Sequence, residues 1–234
     1  MSLADQELAS LVALNVPILC VDTCSLLDVV RDVTRSTLNL SDAQAGMDLL
    51  TAAETGPRLV VLMAGQVGLE LAVNRQDVEQ ESDEKLARLG LQIQRMHEVL
   101  TLFGAQGTLN ISHFEGHAVR ASLVLERWTR MARTVLASDA VAARALARVN
   151  AARAPARKGK ESMKDCVIVE TYLEVAQQLR TAGLVSPIVF TSSNTKEYFG
   201  PTGSHLLPDL ADDLAVHRID YAPNFRAAKH LLKL

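Results

Sequence analysis

The sequence predicts an α/β fold in which a central parallel sheet is flanked by helices. Three short apolar runs, at 17–22, 58–64 and 187–191, have the length and the β-branched composition of buried strands. Stretches with helical spacing of apolar residues lie between these runs. Because strands that alternate with helices pair in parallel through helical crossovers, this order favours one sheet covered on both faces.

The helices are expected on either side of each apolar run, within a single domain that spans residues 1–234. The helix after the first strand would be capped by Ser41 or Asp42 and would stop at the Gly-Pro pair at 56–57. The predicted helices lie at 3–14, 41–54, 66–74, 165–181 and 224–233, and a last strand is predicted at about 215–219.

Residues 76–149 interrupt the alternation of strands and helices. Charged and apolar residues recur there at helical spacing, with one break at 104–107, so we predict a large helical insertion whose second helix covers about 112–149. This pair is either an αα-hairpin lid or a solvated support beside the sheet. The next segment, 150–164, is a predicted basic loop, and its cations face the single acid Glu161. These cations are Arg153, Arg157, Lys158, Lys160 and Lys164.

Composition limits the function and the compartment. A net charge of −3 excludes a globally basic nucleic-acid binder but leaves room for a local basic patch. The three cysteines, Cys20, Cys24 and Cys166, lack metal-ligand spacing and fit a reducing cytosol. The N-terminus has no basic leader, and no apolar run reaches the roughly 20 residues that a membrane span needs. We therefore expect a soluble, cytoplasmic protein.

Carboxylates follow the predicted strands or begin a predicted helix. Asp22 comes directly after the first strand, Glu70 follows the second, and Asp165 begins an apolar helix. Because the carboxyl ends of parallel strands share one edge of the sheet, these acids are expected to approach each other there. Neighbouring carboxylates repel one another, which raises their pKa values unless a cation neutralises them. Each acid taken alone is also explained as a helix cap or a first-turn residue.

Four segments in chain order resemble the motifs of PIN-domain nucleases. Residues 21–27, Val-Asp-Thr-Cys-Ser-Leu-Leu, resemble the opening strand and turn of that family. Residues 67–70 and 164–170 are similar to its second and third acidic positions. Residues 190–199, Phe-Thr-Ser-Ser-Asn-Thr-Lys-Glu-Tyr-Phe, resemble the segment with the fourth polar residue. The resemblance implies a PIN-like fold and a metal-dependent endoribonuclease.

The resemblance also implies roles for the four polar residues. Asp22 and Asp165 would be ligands of Mg²⁺ or Mn²⁺, and Glu70 would be a ligand or would orient a bound water. Asn194 would be an outer ligand, although many relatives have an Asp near this position. An amide oxygen carries no charge, so the second metal position would be weak, and the number of ions stays open.

The basic residues near these acids are candidates for contact with RNA phosphates. A Lys/Arg-rich loop is also explained as a plain solvated connection. The substrate-binding candidates are Thr23, Arg157, Lys158, Lys160, Lys164, Thr191 and Lys196. The candidates for stacking on bases are Tyr198, Phe199 and Trp128.

Other functions are weighed against the nuclease. A haloacid-dehalogenase-type phosphatase needs a second Asp two residues after Asp22, where this chain has Cys24. A PIN-like module that binds RNA or a protein without cutting remains the alternative. PIN nucleases are often toxins paired with antitoxins, but 234 residues exceed the usual compact toxin, which favours a stand-alone or defence-associated nuclease. A homodimer is the default expectation. The pair His113 and His117 is expected to be two surface histidines on one helix.

Overall fold

The computed structural model describes residues 3–157, 159, 162–200, 203 and 205–234. Within these residues five strands form one all-parallel sheet with the order β3-β2-β1-β4-β5. The predicted α/β fold with a central parallel sheet is therefore confirmed. The strands are β1 (Ile18–Val21), β2 (Val60–Ala64), β3 (Ala132–Val135), β4 (Ile188–Thr191) and β5 (Ile219–Ala222).

Helices connect the strands and cover the sheet. A short 3₁₀ turn at Ser112–Phe114 precedes the fifth helix. The helices are α1 (Asp5–Leu14), α2 (Thr23–Leu27), α3 (Leu40–Glu54), α4 (Gly65–Leu102), α5 (His117–Met131), α6 (Asp139–Asn150), α7 (Met163–Thr181), α8 (Thr195–Tyr198), α9 (Pro208–Val216) and α10 (Phe225–Leu232).

The core lies on both faces of the three central strands. Every residue of β1, β2 and β4 is buried, which is the pattern of parallel strands covered on both sides. On the side of α10 and α5, the rings of Trp128 and Phe225 stack with their centroids 5.2 Å apart. From α7, the Tyr172 hydroxyl donates to the Val21 carbonyl at 2.6 Å and accepts from the Ala64 amide at 2.9 Å. Tyr172 thereby fixes α7 against the carboxyl ends of β1 and β2.

The region 76–149 is not the purely helical insertion that the sequence predicts. The helix that begins at Gly65 continues without a break to Leu102, and β3 at Ala132–Val135 interrupts the predicted helix at 112–149. β3 pairs in parallel with β2 at the edge of the sheet. The Ala-rich and Arg-rich sequence around it favours helix, but pairing with β2 decides its conformation. This region therefore supplies an edge strand of the sheet.

The first turns of α4 and the helix α5 form an antiparallel hairpin. The Arg75 guanidinium donates to Glu79 at 2.5 Å and to Glu126 of α5 at 3.0 Å. The Ser122 hydroxyl of α5 also donates to Glu79. These contacts pair α4 with α5 as an αα-hairpin, while the later turns of α4 extend beyond α5; whether the pair acts as a lid or as a support stays a prediction.

Three smaller predictions are wrong. The last strand lies at Ile219–Ala222, because Pro208–Val216 forms α9 where the strand was expected to begin. The cap of α3 is Asn39, whose side chain accepts from the Ser41 amide at 2.9 Å, so neither Ser41 nor Asp42 is the cap. His113 lies in the 3₁₀ turn and His117 begins α5, so the two histidines do not share a helix.

Across the described part of the chain, none of the helices combines the length and the apolar character that a bilayer crossing requires.

Candidate active site

The candidate site lies where the strand order reverses, between β1 and β4. Within the sheet, β2 and β3 lie on one side of β1, and β4 and β5 lie on its other side. In open α/β sheets, ligands bind outside the carboxyl ends of the strands at such a reversal. Asp22 directly follows β1, Ser192 directly follows β4, and the Ser192 hydroxyl donates to Asp22 Oδ2 at 2.5 Å.

Asp22 is a buried carboxylate that the described residues surround with neutral donors. Its exposed fraction is 2%. Oδ1 accepts from the Thr23 amide at 2.7 Å, which caps α2, and Oδ2 also accepts from Cys24 Sγ at 3.1 Å. Burial raises the pKa of Asp22, and the charge of Glu70 raises it further, while the hydrogen bonds act in the opposite direction. A nearby cation would favour the ionised form of this carboxylate.

Glu70 is held beside Asp22 by the residue that follows Asp22. The Thr23 hydroxyl donates to Glu70 Oε2 at 2.7 Å, and the Gln66 amide donates to Oε1 at 3.1 Å. Because α2 begins after β1 and α4 begins after β2, these two helices place Thr23 and Glu70 at the same edge of the sheet. The predicted approach of Asp22 and Glu70 is thus present.

Asp165 lies in the first turn of α7. The hydroxyl of Tyr198 is fully buried, and its pKa is raised by burial and, in addition, by the charges of Asp22 and Asp165. Asp22 and Asp165 therefore both lie within electrostatic reach of one hydroxyl group. The aromatic residues around Tyr198 fix its ring, with the Phe190 and Tyr221 centroids 5.6 and 5.9 Å away.

The residues at this edge fit a hard divalent cation that keeps several of its waters. Within the described ranges, no three side chains of His, Cys, Asp or Glu converge as a complete metal site. Mg²⁺, however, commonly binds through one or two carboxylates together with water and substrate phosphate. The buried hydroxyls of Thr191 and Tyr198 have no hydrogen-bond partner among the described residues. The carboxylates of Asp22 and Glu70 are the oxygen donors at this edge that suit such an ion.

The turn after β4 is fixed by backbone contacts. The Ser193 amide donates to Ser25 Oγ at 3.1 Å, and the Tyr221 hydroxyl donates to the Ser192 carbonyl at 2.6 Å. Asn194 precedes α8, and its backbone N–H donates to Ser192 Oγ at 3.2 Å. The side chain of Asn194 makes no hydrogen bond that caps α8. Asn194, the predicted fourth polar residue, therefore follows this turn, and the side chain of Ser192 rather than that of Asn194 contacts Asp22.

The predicted basic contacts divide into three groups. Lys164, in the first turn of α7, and Lys196, in α8, are exposed. Arg157 donates to the carbonyls of Lys196 and Phe199 and forms an ion pair with Glu197 at 3.4 Å, so it joins the basic loop to α8. Lys158 and Lys160 lie outside the described residues.

A buried ion network holds the start of the basic loop. Arg148 of α6 donates to the Ala154 carbonyl, to Glu170 at 2.8 Å and to Asp213 at 2.7 Å. Asp209 accepts from the Ala154 amide at 2.7 Å. The acids of α9 thus anchor residue 154 rather than the candidate site, and they connect α6, α7 and α9.

Several predicted substrate contacts are buried or already engaged. Thr191, Tyr198 and Trp128 are no more than 1% exposed, so none of them can stack on a base or touch RNA in this conformation. Thr23 is 5% exposed and its hydroxyl is bound to Glu70. Phe199 is partly buried against the core.

Sequence reasoning missed three residues of the site. The sequence alone assigns no role in the site to Ser192, Cys24 or Tyr172. The only signal for Ser192 was its position directly after an apolar strand that ends at the same edge as β1. Hydrogen bonds between side chains far apart in sequence have no local pattern, so the structure was needed to find them.

Comparison with known proteins identifies the family. A family model described as PIN domain matches residues 19–198, which is more than half of the chain and runs from β1 to α8. No curated protein and no solved structure matches the chain significantly. PIN domains have a nuclease-like fold, are generally nucleases and typically use divalent metal ions. The chain belongs to the PIN-domain family.

Proposed function

We propose that this protein is a metal-dependent endoribonuclease that hydrolyses RNA phosphodiester bonds at the edge between β1 and β4. One observation supports this proposal most: Asp22 is 2% exposed at the point where the strand order reverses, and the described donors around it are neutral. Leaving a buried carboxylate without a counter-charge is costly, so an ion at this edge would stabilise the charged form.

Asp22 and Asp165 would hold the cation, and Glu70 would hold it or orient a water that contacts it. When bound, a divalent cation of this kind offsets the negative charge that develops on the phosphate. Ser192 and the Thr23 amide keep the Asp22 carboxylate in one orientation through hydrogen bonds of 2.5 and 2.7 Å. The Thr23 hydroxyl holds the Glu70 carboxylate in one orientation through its hydrogen bond to Oε2. Asp22 and Glu70 would therefore be oriented before substrate binds.

The exposed cations Lys164 and Lys196 would bind the RNA phosphates next to the scissile bond. Lys164 is adjacent in sequence to Asp165, and Lys196 lies in the short helix that follows Ser192. Both cations therefore flank the acidic edge, and their binding to phosphate would be independent of base identity and sensitive to salt.

A labelled single-stranded RNA, incubated with purified protein and Mn²⁺ or with EDTA, tests the proposal. We expect Mn²⁺-dependent cleavage that Asp22→Asn and Asp165→Asn each abolish. Asp212→Asn is the matched control, because Asp212 is exposed on α9 and its substitution should leave cleavage unchanged. Binding of Mn²⁺, followed by electron paramagnetic resonance without RNA, should weaken in the first two variants alone. Cleavage that persists in Asp22→Asn and Asp165→Asn would overturn the proposal.

The second candidate is a PIN module that binds RNA without cutting it. The observation that favours it is the lack of a complete three-ligand metal cluster within the described ranges. In that case the same RNA would be bound and recovered intact in Mn²⁺, and EDTA would not change its affinity.

A further inference from the structure

The start of the basic loop is fixed to the body of the protein just before Arg157. Both backbone groups of Ala154 are bound, its carbonyl by a side chain of α6 and its amide by a side chain of α9. Ala156 is 4% exposed and packs with Cys166 of α7 in a small apolar cluster. Because Cys166 directly follows Asp165, this part of the loop lies against the turn of α7 that carries the acid.

Arg157 connects this fixed part of the loop to α8. Its Nη2 group donates to the backbone carbonyls of Lys196 and Phe199, and the second of these hydrogen bonds is 3.4 Å long. Its Nε atom lies 3.4 Å from Oε2 of Glu197. One guanidinium group therefore contacts α8 and its C-cap through two carbonyls and one carboxylate.

The length of α8 explains why these contacts matter. The helix has four residues, and a helix this short is not stable in water without tertiary contacts. Tyr198 supplies one such contact, because its ring is buried and its carbonyl accepts from the Leu207 amide at 2.9 Å. The carbonyls at the end of a helix lack partners within it, and an Arg side chain can bind them. Arg157 supplies this second contact for α8.

The same contacts separate the roles of Arg157 and Lys196. The Arg157 side chain is 39% exposed, and its planar group binds several acceptors at once, which the ammonium group of a lysine cannot do. Lys196 is bound to Arg157 only through its backbone carbonyl, and its side chain is exposed. Arg157 thus fixes the backbone of α8 and leaves the cation of Lys196 available to a ligand.

We propose that Arg157 is a positioning residue of the site, which holds α8 so that Lys196 can bind an RNA phosphate beside the acidic edge. This inference rests on the proposed function. Arg157 acts on RNA through Lys196, because its own guanidinium is engaged with α8. If Arg157 instead contacted a phosphate directly, a lysine at position 157 would keep that contact.

Hydrogen exchange of α8 tests whether Arg157 holds the helix. Arg157→Lys keeps the charge but removes the planar group. The amides of Glu197 and Phe199, which donate to carbonyls at the start of this turn, should then exchange about tenfold faster. Arg153→Lys is the matched control and should leave exchange unchanged. Arg153 lies in the same loop with a side chain 48% exposed, but it pairs with Asp213 of α9.

RNA binding tests whether Arg157 acts through Lys196. In EDTA, Arg157→Lys should lower the affinity for a single-stranded RNA and reduce the slope of log affinity against log salt by up to about 0.7, the value of one phosphate contact. The double variant Arg157→Lys with Lys196→Gln should bind as Lys196→Gln alone does, because the residue that Arg157 positions is already lost. With Mn²⁺, Arg157→Lys should raise KM and leave kcat unchanged.

Two results would overturn the proposal. The first is unchanged exchange of the α8 amides in Arg157→Lys, and the second is a double variant that binds RNA more weakly than Lys196→Gln. A wild-type chain that binds no RNA would overturn the proposed function instead. The exchange rates would still show in that case whether Arg157 holds α8, so the two failures are distinguishable.

Discussion

The hydroxyl of Thr23 donates a 2.7 Å hydrogen bond to Glu70, across the first turns of two helices that β1 and β2 deliver to the same edge. Thr23 also donates its amide to Asp22 at 2.7 Å. One residue therefore contacts both acids and sets the distance between them. Thr23 is 5% exposed, so water does not compete readily for its hydroxyl.

Thr23→Val should weaken divalent-metal binding. Val keeps the shape of Thr but removes the hydrogen bond that orients Glu70, and the loss of such outer contacts typically costs about tenfold or more in metal affinity. Titration with Mn²⁺, followed by isothermal calorimetry, measures the change. Thr23→Ser retains the hydroxyl and should bind Mn²⁺ as the wild type does. Equal affinities in Thr23→Val and the wild type would show that this hydrogen bond to Glu70 does not contribute to metal binding.

Asp22→Asn should change how stability depends on pH. Burial raises the pKa of Asp22, so the folded protein retains this proton to a higher pH than the unfolded chain does. Between the two pKa values the folded state binds more protons, and the free energy of unfolding therefore falls as pH rises. In EDTA, the wild type should lose stability relative to Asp22→Asn as pH rises above about 4, the ordinary pKa of an aspartate.

Added Mg²⁺ should restore the stability of the wild type and should leave Asp22→Asn unaffected, since a ligand that binds only the folded state stabilises it. Thermal melts at each pH, with EDTA and with Mg²⁺, provide the measurement. Parallel curves for the two proteins in EDTA would contradict the effect of the buried charge.

The sequence predicts the central strands of this fold but not its edges. β1, β2 and β4 are continuous apolar runs because both of their faces are buried. β3 contains Arg133 and Thr134 and has only one fully buried residue, so its composition does not distinguish it from the neighbouring helices. β5 is also an edge strand and includes the exposed Asp220, so it is not a continuous apolar run either. Edge strands depend on pairing with a neighbour, which no local pattern records.

The candidate site also contains residues that the sequence predicts and residues that it does not predict. Asp22 and Glu70 follow apolar strands, so the topology alone predicts that they approach each other. The contact of Ser192 with Asp22 joins residues 170 positions apart in the chain. It could be predicted only with the knowledge that β4 lies next to β1. The roles of Asp22, Glu70, Asp165 and Asn194 in metal binding all stay predictions.

Arg148→Met should destabilise the fold strongly. The Arg148 side chain is 4% exposed and contacts the buried Glu170 and the half-buried Asp213, so its removal leaves both carboxylates with fewer partners. Breaking a buried ion network in this way costs about 3 kcal/mol or more. Arg144→Met is the control, because Arg144 is 44% exposed and its ion pairs should contribute at most about 1 kcal/mol. Urea unfolding measures both, and similar losses would contradict this assignment.

Lys164→Gln and Lys196→Gln should each weaken RNA binding and reduce its salt dependence. Each lost phosphate contact lowers the slope of log affinity against log salt by about 0.7 for a single strand. Lys233→Gln is the control, since Lys233 is an exposed cation that follows the last turn of α10. Fluorescence anisotropy with a labelled RNA, over a series of salt concentrations in EDTA, separates binding from cleavage. An equal change in all three variants would indicate only an effect of net charge.

Tyr198→Phe should stabilise the metal-free protein while impairing the site. The Tyr198 hydroxyl is 0% exposed and unpartnered among the described residues, so its removal should add about 1 kcal/mol to the free energy of unfolding in EDTA. The ring would still pack against Phe190, 5.6 Å away. Because this hydroxyl lies within electrostatic reach of Asp22 and Asp165, its removal should also change the surroundings of the two acids and lower Mn²⁺-dependent cleavage about tenfold.

Tyr221→Phe is the matched control, because the Tyr221 hydroxyl donates to the Ser192 carbonyl at 2.6 Å and its loss should destabilise the protein. Opposite changes in thermal stability for the two variants, with reduced cleavage in Tyr198→Phe, would assign the Tyr198 hydroxyl to the site. A stabilised Tyr198→Phe with unchanged cleavage would instead show that this hydroxyl is only an unsatisfied group of the core. The sign of the stability change and the rate of cleavage are independent readouts, so each outcome identifies one role.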